Sequence, residues 1–590
     1  MYNINKDLAN IFRQMGAIYE FKGDKFRALA YYRAAEVIED LPEDIRNYIV
    51  SGNLNSIKGV GQAIATKIEE YVNTGKIKKF EELREEVPEE LIEIMDLPGI
   101  GPKTLKKLHE ELNIKSKEDL IRVLKNGEVE KLKGFGKKKV EKMLKSLEMH
   151  EIAQKRIILW EALQISRYIT NELKESLPKE IKKIEVAGSI RRRKETIGDI
   201  DILVAVEDKD REKVIEKFIS LPEVEEIIVK GDKKTSVIMK FDYKERQVDL
   251  RLFKNEEWGA ALQYFTGSKQ HNVHLREIAK EKGLKLNEYG VFKIDTGEKV
   301  AGETEEGVYN SLGMQWIPPE MREDRGEIEL ALEWNLPKLV ELKDIKGDMH
   351  VHSTWSDGVN SIEEIAYYVR KKYNYEYIVI TDHSKSQKIA HGLDEERLIE
   401  EIKEVRLLNK MIGFDFIKIG TEVDILLDGS LDLSDEVLAE LDFVVASVYS
   451  HFNRDNTDRI IKAMENPYVN AIGHMTGRLI GIREGYKVDM EAVIKKAKET
   501  GTALEINSQP RRMDINEVWV RRAVEEGVKM VISTDSHSLG NFEFMELGVS
   551  IARRGWATKE DILNTGSWDR IQQFVNEKRK KLGGLIKTNK

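Results

Sequence analysis

Apolar residues recur at helical spacing through most of residues 1–148, in short amphipathic segments separated by glycine turns. Near residue 184 the pattern changes. IEVAG (184–188), DIDILVAV (199–206), SVIMKF (236–241) and RQVDLRLF (246–253) alternate or run apolar, which predicts strands. Pro318-Pro319 and the acidic stretch Glu320 to Asp324 then predict a linker followed by a short helix. Beyond 347, short strands such as DMHVH (348–352), YIVITDH (377–383), FIKIGTEVDI (416–425), NAIGH (470–474), ALEIN (503–507) and MVISTDSH (530–537) alternate with helical stretches such as 361–372 and 489–499. That alternation predicts an α/β barrel of parallel strands, with polar residues gathered at the strand ends where barrel sites form.

The chain has 590 residues, enough for several domains, and no cysteine. Disulfide scaffolds, thiol nucleophiles and cysteine-based metal sites are therefore excluded. No basic n-region with a long apolar run opens the chain, and no stretch is long and apolar enough to span a bilayer, so a cytoplasmic protein without membrane contact is expected. Net charge is −9 but unevenly divided: residues 1–300 carry 57 Lys+Arg against 54 Asp+Glu, and residues 301–590 carry 39 against 51. Residues 131–145 hold seven lysines and one glutamate, whereas seven of the 11 histidines lie after residue 349. The front half suits a polyanion and the rear half suits a metal.

One pattern occurs three times. IKGVGQAIATKI (57–68), LPGIGPKTLKKL (97–108) and LKGFGKKKVEKM (132–143) each place Gly-apolar-Gly before a helix. The glycine pairs Gly59/Gly61, Gly99/Gly101 and Gly134/Gly136 permit a tight turn. The helix start then offers unpaired N–H groups to an anion. Lys137 and Lys138 add charge to the third copy. These are helix-hairpin-helix motifs in form, suited to holding a DNA backbone without reading its sequence.

Two other constellations carry chemistry. Asp199 and Asp201 lie two apart on a predicted strand and share a face, with Ile200, Ile202 and Val204 opposite. Asp249 lies similarly in RQVDLRLF. Three converging carboxylates need a cation between them, and oxygen-only ligation suits Mg²⁺ with substrate phosphates. Gly188, Ser189, Gly198 and the arginines 191–193 would receive the remaining phosphate charge. In the second half, His350, His352, Asp357, His383, Glu422, His451, His474, Asp535 and His537 form a mixed imidazole–carboxylate set at predicted strand ends. That exceeds the four ligands of one zinc, so two or three ions are implied, with Zn²⁺, Mn²⁺ and Fe²⁺ all compatible.

GS followed by DID and a distant VDLR resembles the nucleotidyltransferase palm, and YFTGSKQHNVHLREIAKEKGLKLNEYGVF (264–292) resembles the dNTP-binding fingerprint of the family X DNA polymerases, the group of polymerase beta. The likeness implies two Mg²⁺ or Mn²⁺ ions on Asp199, Asp201 and Asp249. Ser189, Arg192 and Gly198 would lie on the triphosphate with Gly188. Tyr264, Phe265 and Gly267 would form the sugar pocket, and Asn272 and Arg276 would lie near the nascent pair. The first 85 residues resemble the small N-terminal domain of polymerase beta, which puts Lys67 at the Schiff-base position of a 5′-deoxyribose-phosphate lyase. Ala63 and Arg27 stand where that family has lysines.

GDMHVHSTWSDG, TDHS, GTEVD, GHMTG and STDSH resemble PHP (polymerase and histidinol phosphatase) domains, with all nine ligand positions present. The resemblance implies a metal-dependent 3′–5′ exonuclease, with AP-endonuclease and 3′-phosphatase action left open. A catalytically decayed DNA-binding scaffold and a small-molecule phosphatase fused to a polymerase are the competing readings. The expected architecture is all-α helix-hairpin-helix domains over 1–85 and 86–150, an α+β palm over 151–262 and thumb over 263–318, a linker over 319–346, and a distorted TIM-like PHP barrel over 347–590. The expected protein is a monomer acting on gapped or primer-template DNA and dNTPs.

Overall fold

The computed structural model describes residues 4–39, 45–50, 52–54, 57, 59–92, 94–95, 100–144, 147, 156–241 and 244–586. The N-terminal part is all helical. Asn5–Lys22 ends at Gly23 with φ 95°, and Lys25–Glu39 packs back against it. Gln62–Thr74, Lys78–Glu86, Pro102–Leu112 and Lys117–Lys125 follow. Leu8, Phe12, Ile68, Leu83, Leu108, Leu124 and Met143 belong to one continuous core, so the stretches 1–85 and 86–150 share their apolar interior.

The central sheet has five strands in the order Ile181–Val186, Ile200–Val206, Lys244–Phe253, Lys234–Phe241, Val224–Lys230. Ile200–Val206 and Lys244–Phe253 run parallel, with Asp201 opposite Asp249. Ile202, Val204, Leu250 and Leu252 pack with Leu163, Ile169 and Phe218 of the helices Leu159–Ser176 and Arg211–Ile219. Leu203 and Ala205 face the other way, onto Trp258 and Leu262 of the helix Trp258–Thr266. The strand Ile200–Val206 is thus covered on both faces, which pins its register.

The next unit combines Lys269–Glu281, Glu305–Ser311 and a three-stranded antiparallel sheet. Most of the stretch expected as a linker, 319–346, is folded into it, while Val340 and Ile345 pack with the core of the central sheet and barrel. Met321, Ile328, Ala331 and Leu339 join Leu275, Val308 and Tyr309 in one core, and Arg322 is fully buried against Glu305. The apolar positions between the charges of this acidic stretch are what the linker reading overlooked.

The C-terminal barrel contains seven parallel strands in sequential order: Gly347–Asp348, Tyr377–Ile380, Ile417–Asp424, Phe443–Ser447, Ala471–Ile472, Ala503–Asn507 and Met530–Ser533. Its edges meet through a parallel bridge between Val351 and Ser536, where the His352 N–H donates to the Ser536 carbonyl at 2.8 Å. At the other end Asn564 Nδ2 donates to the carbonyls of Gly347 (2.9 Å) and Ile532 (2.8 Å). Several barrel helices start on a capping side chain: Ser361, Asp394, Asp489 and Asn516 each accept a first-turn N–H, a device of about 1 kcal/mol apiece. The barrel packs on the central unit through an edge-to-face contact of Trp160 with Phe544 at 5.1 Å and through the ion pairs Arg167–Glu546 (2.6 Å) and Arg478–Glu195 (2.8 Å). Among the described residues, no helix is long and apolar enough to cross a membrane.

Leu250 is fully buried between Asp249 and Arg251. Leu250→Ala should destabilise the central unit by about 2–5 kcal/mol in denaturant titrations, and a loss well under about 1 kcal/mol would contradict a close-packed sheet face.

Candidate active sites

The hairpin glycines behave as their spacing requires. Gly61 and Gly101 are the residues immediately before Gln62–Thr74 and Pro102–Leu112, and Gly59 and Gly134 have φ of 100° and 94°. A Cβ on Gly61, Gly134 or Gly136 would meet nothing within 4 Å, so the turns leave open space at these helix starts. Lys137 and Lys138 are exposed on the helix over 137–144. Gly99 lies outside the described residues. Lys67 is half-buried, donates to the Ala63 carbonyl at 2.9 Å and lies over the Tyr31 ring; burial pushes its amine below the ordinary lysine range.

In the central sheet, the parallel register sets Asp201 beside Asp249, with Asp199 exposed at the strand entrance. Gly188, at φ 59°, lies so close that a Cβ there would sit 2.8 Å from Asp201 Oδ2. Burial and the neighbouring Asp199 charge push the Asp201 carboxyl up to about 6. Asp249 is buried too, but Lys234 at 2.7 Å and the Gln247 amide at 3.0 Å outweigh burial and hold it below the usual range. Arg251 stands 3.8 Å from Asp201 and 3.5 Å from Asp249, above the Phe265 ring. Carboxylates that repel one another and borrow lysine and arginine as counterions suit divalent cations.

The remaining residues of this site are distributed around it. Ser189 follows Gly188 on the short helix Gly188–Arg191, and Gly198 is exposed before Asp199. Tyr264 and Phe265 stand edge to face at 5.0 Å. Gly267, at φ 69°, leaves room for Arg192, whose Nη1 would stand 3.1 Å from a Cβ there and whose guanidinium donates to the Thr266 carbonyl and to Glu323 at 3.1 Å. Asn272 donates to the Tyr264 carbonyl at 2.7 Å and accepts from Gln263 at 2.7 Å, so it braces the turn. Arg276 is exposed on the same helix. Arg191 makes a two-pronged pair with Glu305 at 2.7 Å, and with Arg322 it outweighs burial and holds Glu305 down to about 2.

At the barrel mouth, ligand atoms of His352, Asp357, His383 and His537 all lie within 4.8 Å of one another, and so do those of His350, His352 and Asp535. Glu422 reaches His350 (3.3 Å), His383 (3.0 Å) and His474 (2.9 Å), placing it between the groups. Both His352 nitrogens and His474 Nδ1 are buried without a hydrogen-bond partner, and His350 Nε2 meets only carboxylate oxygens at 3.3 Å or more. Buried polar atoms left unpaired in one pocket cost free energy unless something binds there, and the donor set fits divalent ions. Burial and the neighbours His537 and His383 push His352 down to about 4. For His537, burial opposes but Asp357 prevails, raising it to about 9. His451 stands apart. It is exposed at φ 59° and belongs to neither group.

The pocket also contains residues that sequence reasoning passed over. Glu505 is fully buried, pairs with His350 Nδ1 at 2.6 Å and accepts the His474 N–H at 2.6 Å, leaving His350 Nε2 to face the pocket. Tyr449 donates to Glu422 at 2.6 Å, Asn507 donates to Asp535 at 3.1 Å, and Arg512 lies 3.5 Å from Asp535. A lone glutamate inside the buried strand ALEIN was the available signal for the first of these.

Comparison with known proteins agrees with this geometry. Family models match as a helix-hairpin-helix domain over 3–77, a SAM-like helix-hairpin-helix tandem over 51–112 and again over 92–149, a DNA polymerase beta palm over 156–242 and a DNA polymerase beta thumb over 261–323. The DNA polymerase/3'-5' exonuclease PolX of Bacillus subtilis (strain 168) is 40% identical over 575 residues, covering 97% of this chain and 99% of its own. DNA polymerase lambda of Arabidopsis thaliana is 26% identical over 54% of this chain and 62% of its own. A probable phosphatase of Thermoanaerobacter sp. (strain X514) is 31% identical over 40% of this chain and 97% of its own. With a carboxylate site on a polymerase palm, and a histidine-rich barrel behind it, this chain belongs to the family X DNA polymerases that carry a C-terminal PHP domain.

Proposed function

We propose that this protein extends DNA 3′ ends with dNTPs at the central sheet and removes nucleotides from 3′ ends at the barrel mouth, filling short gaps during repair. The observation that carries the reading is the pairing of Asp201 with Asp249 against Gly188, on a chain that holds a second, imidazole-rich cluster. Divalent ions bound at the two sites would supply charge against the phosphates and would lower the pKa of the attacking hydroxyl or water.

The protein's own groups do the positioning. Asp199, Asp201 and Asp249 would hold the ions, Mg²⁺ or Mn²⁺, and the Gly188–Ser189 backbone approaches the triphosphate, with Gly188 packed so closely on the Asp201 carboxylate that a Cβ there would clash with it. Arg192 neutralises phosphate charge. Tyr264, Phe265 and the Gly267 turn form the floor for the sugar, with Asn272 bracing that turn and Arg276 facing the nascent pair. The hairpins hold the DNA backbone through Gly59, Gly61, Gly99, Gly101, Gly134 and Gly136, helped by Lys137 and Lys138. At the barrel, His350, His352, Asp357, His383, Glu422, His474, Asp535 and His537 would hold two or three ions of Zn²⁺, Mn²⁺ or Fe²⁺ type, with His451 the ninth member of the set expected from the sequence. Removal of a 3′-terminal phosphate fits the likeness to a probable phosphatase. Lys67, half-buried and lowered, is the proposed lyase nucleophile.

Asp199→Ala should abolish primer extension, by at least about a thousand-fold, while duplex binding and nuclease activity stay near wild type. Extension retained in the purified variant would refute the carboxylate assignment. His350→Ala combined with His352→Ala should remove the nuclease and lower bound metal by elemental analysis, leaving extension within a few-fold. Full metal content with intact 3′-end degradation would move the nuclease elsewhere. Lys137→Ala with Lys138→Ala should flatten the salt dependence of DNA binding by about 0.9 in log–log slope per lost phosphate contact. An unchanged slope would make that run a solvated face.

A further inference from the structure

Arg192 is not free at its site. Its Nε donates to Glu323 Oε1 at 3.1 Å, and a carboxylate in that position competes with any phosphate for the guanidinium. The same oxygen takes a second donor from the other catalytic domain. Arg554, at the end of the barrel helix Met545–Arg554, donates through Nη1 to Glu323 Oε1 at 3.0 Å and to the Arg192 main-chain carbonyl at 2.6 Å. Its Nη2 donates to Glu517 of the barrel at 2.9 Å, and the side chain is only 4% exposed. Lys194 approaches Glu323 only to 4.0 Å. One buried guanidinium therefore ties the palm backbone, the thumb carboxylate and the barrel together.

We propose that Arg554 of the barrel is a positioning residue for nucleotide binding at the palm; this rests on the reading of Arg192 as a triphosphate contact. Two cations share one Glu323 oxygen while Glu517 holds the far side of Arg554, so Arg192 can turn to phosphate and leave Glu323 paired with Arg554. With Arg554 gone, Glu323 has Arg192 as its one close cation, and the guanidinium is held away from substrate. The carbonyl contact fixes where the Arg192 main chain stands while this exchange takes place. The barrel thereby acts on polymerisation through a contact separate from its own metal pocket.

The test is steady-state filling of a one-nucleotide gap by the full-length protein, with 3′-end degradation by the same preparation reporting an intact barrel. R554A should raise the KM for dNTP about ten-fold with kcat changed less than about three-fold. Adding E323Q, which removes the competing charge, should return the KM to within about two-fold of wild type. If R554A does not fold, R554K serves, because a compact ammonium without the guanidinium fork cannot bond all three acceptors and KM should again rise. An unchanged KM in R554A and R554K, or a rise that E323Q leaves in place, overturns the proposal. R192A separates the underlying reading: a raised KM in R192A with no effect of R554A defeats only the role of Arg554, whereas a KM unmoved in R192A defeats the triphosphate assignment itself.

Discussion

A parallel strand pair cannot be closed by a tight hairpin; each partner arrives by a crossover, and its register sets residues far apart in sequence side by side. Both candidate sites depend on that constraint. In the palm, the one parallel pair of an otherwise antiparallel sheet aligns Asp201 with Asp249. In the barrel, seven parallel strands closed through Val351 and Ser536 bring residues from positions 350 to 537 into one pocket. Sheet register, more than local conformation, sets the donor atoms within reach of common ions.

The two pockets solve the problem of crowded charge differently. At the palm, Lys234 and Arg251 stand beside the carboxylates, while burial and Asp199 leave Asp201 reluctant to ionise. At the barrel, imidazole and carboxylate are interleaved. Burial alone would disfavour charge on either, yet Glu422 and Asp535 are held well below the usual carboxylate range by the histidines around them. Each pocket thus sets its carboxylates against nitrogen donors of its own. The oxygen-only set suits harder ions that keep company with phosphates, and the mixed set admits the transition metals.

Much of this was legible before any coordinates. Period-two spacing puts Asp199 with Asp201 and His350 with His352 on common faces, and the three Gly-apolar-Gly turns stand directly before helices. Contacts between distant segments were not legible. Glu505 became visible as a partner of His350 only when residues 155 apart in sequence met in the barrel. Arg192 was read as open to phosphate, yet Glu323 and Arg554 engage it from 131 and 362 residues away. The stretch 319–346 reads as a linker by its prolines and acids, but its apolar residues up to Leu339 complete the core around Leu275 and Tyr309. His451 fits the ligand spacing while its turn leaves it exposed. Composition and periodicity report on faces of single elements, and they are silent on which faces meet.

One chain is proposed to carry two metal sites of different donor chemistry, each assembled by the register of parallel strands. Anomalous diffraction at the manganese edge, from crystals of the protein grown with Mn²⁺, tests it most directly. The account predicts anomalous peaks both between Asp201 and Asp249 and within the His350, His352, His383 and Glu422 pocket. Peaks at only one of these places, or density bound elsewhere with both pockets empty, would contradict it.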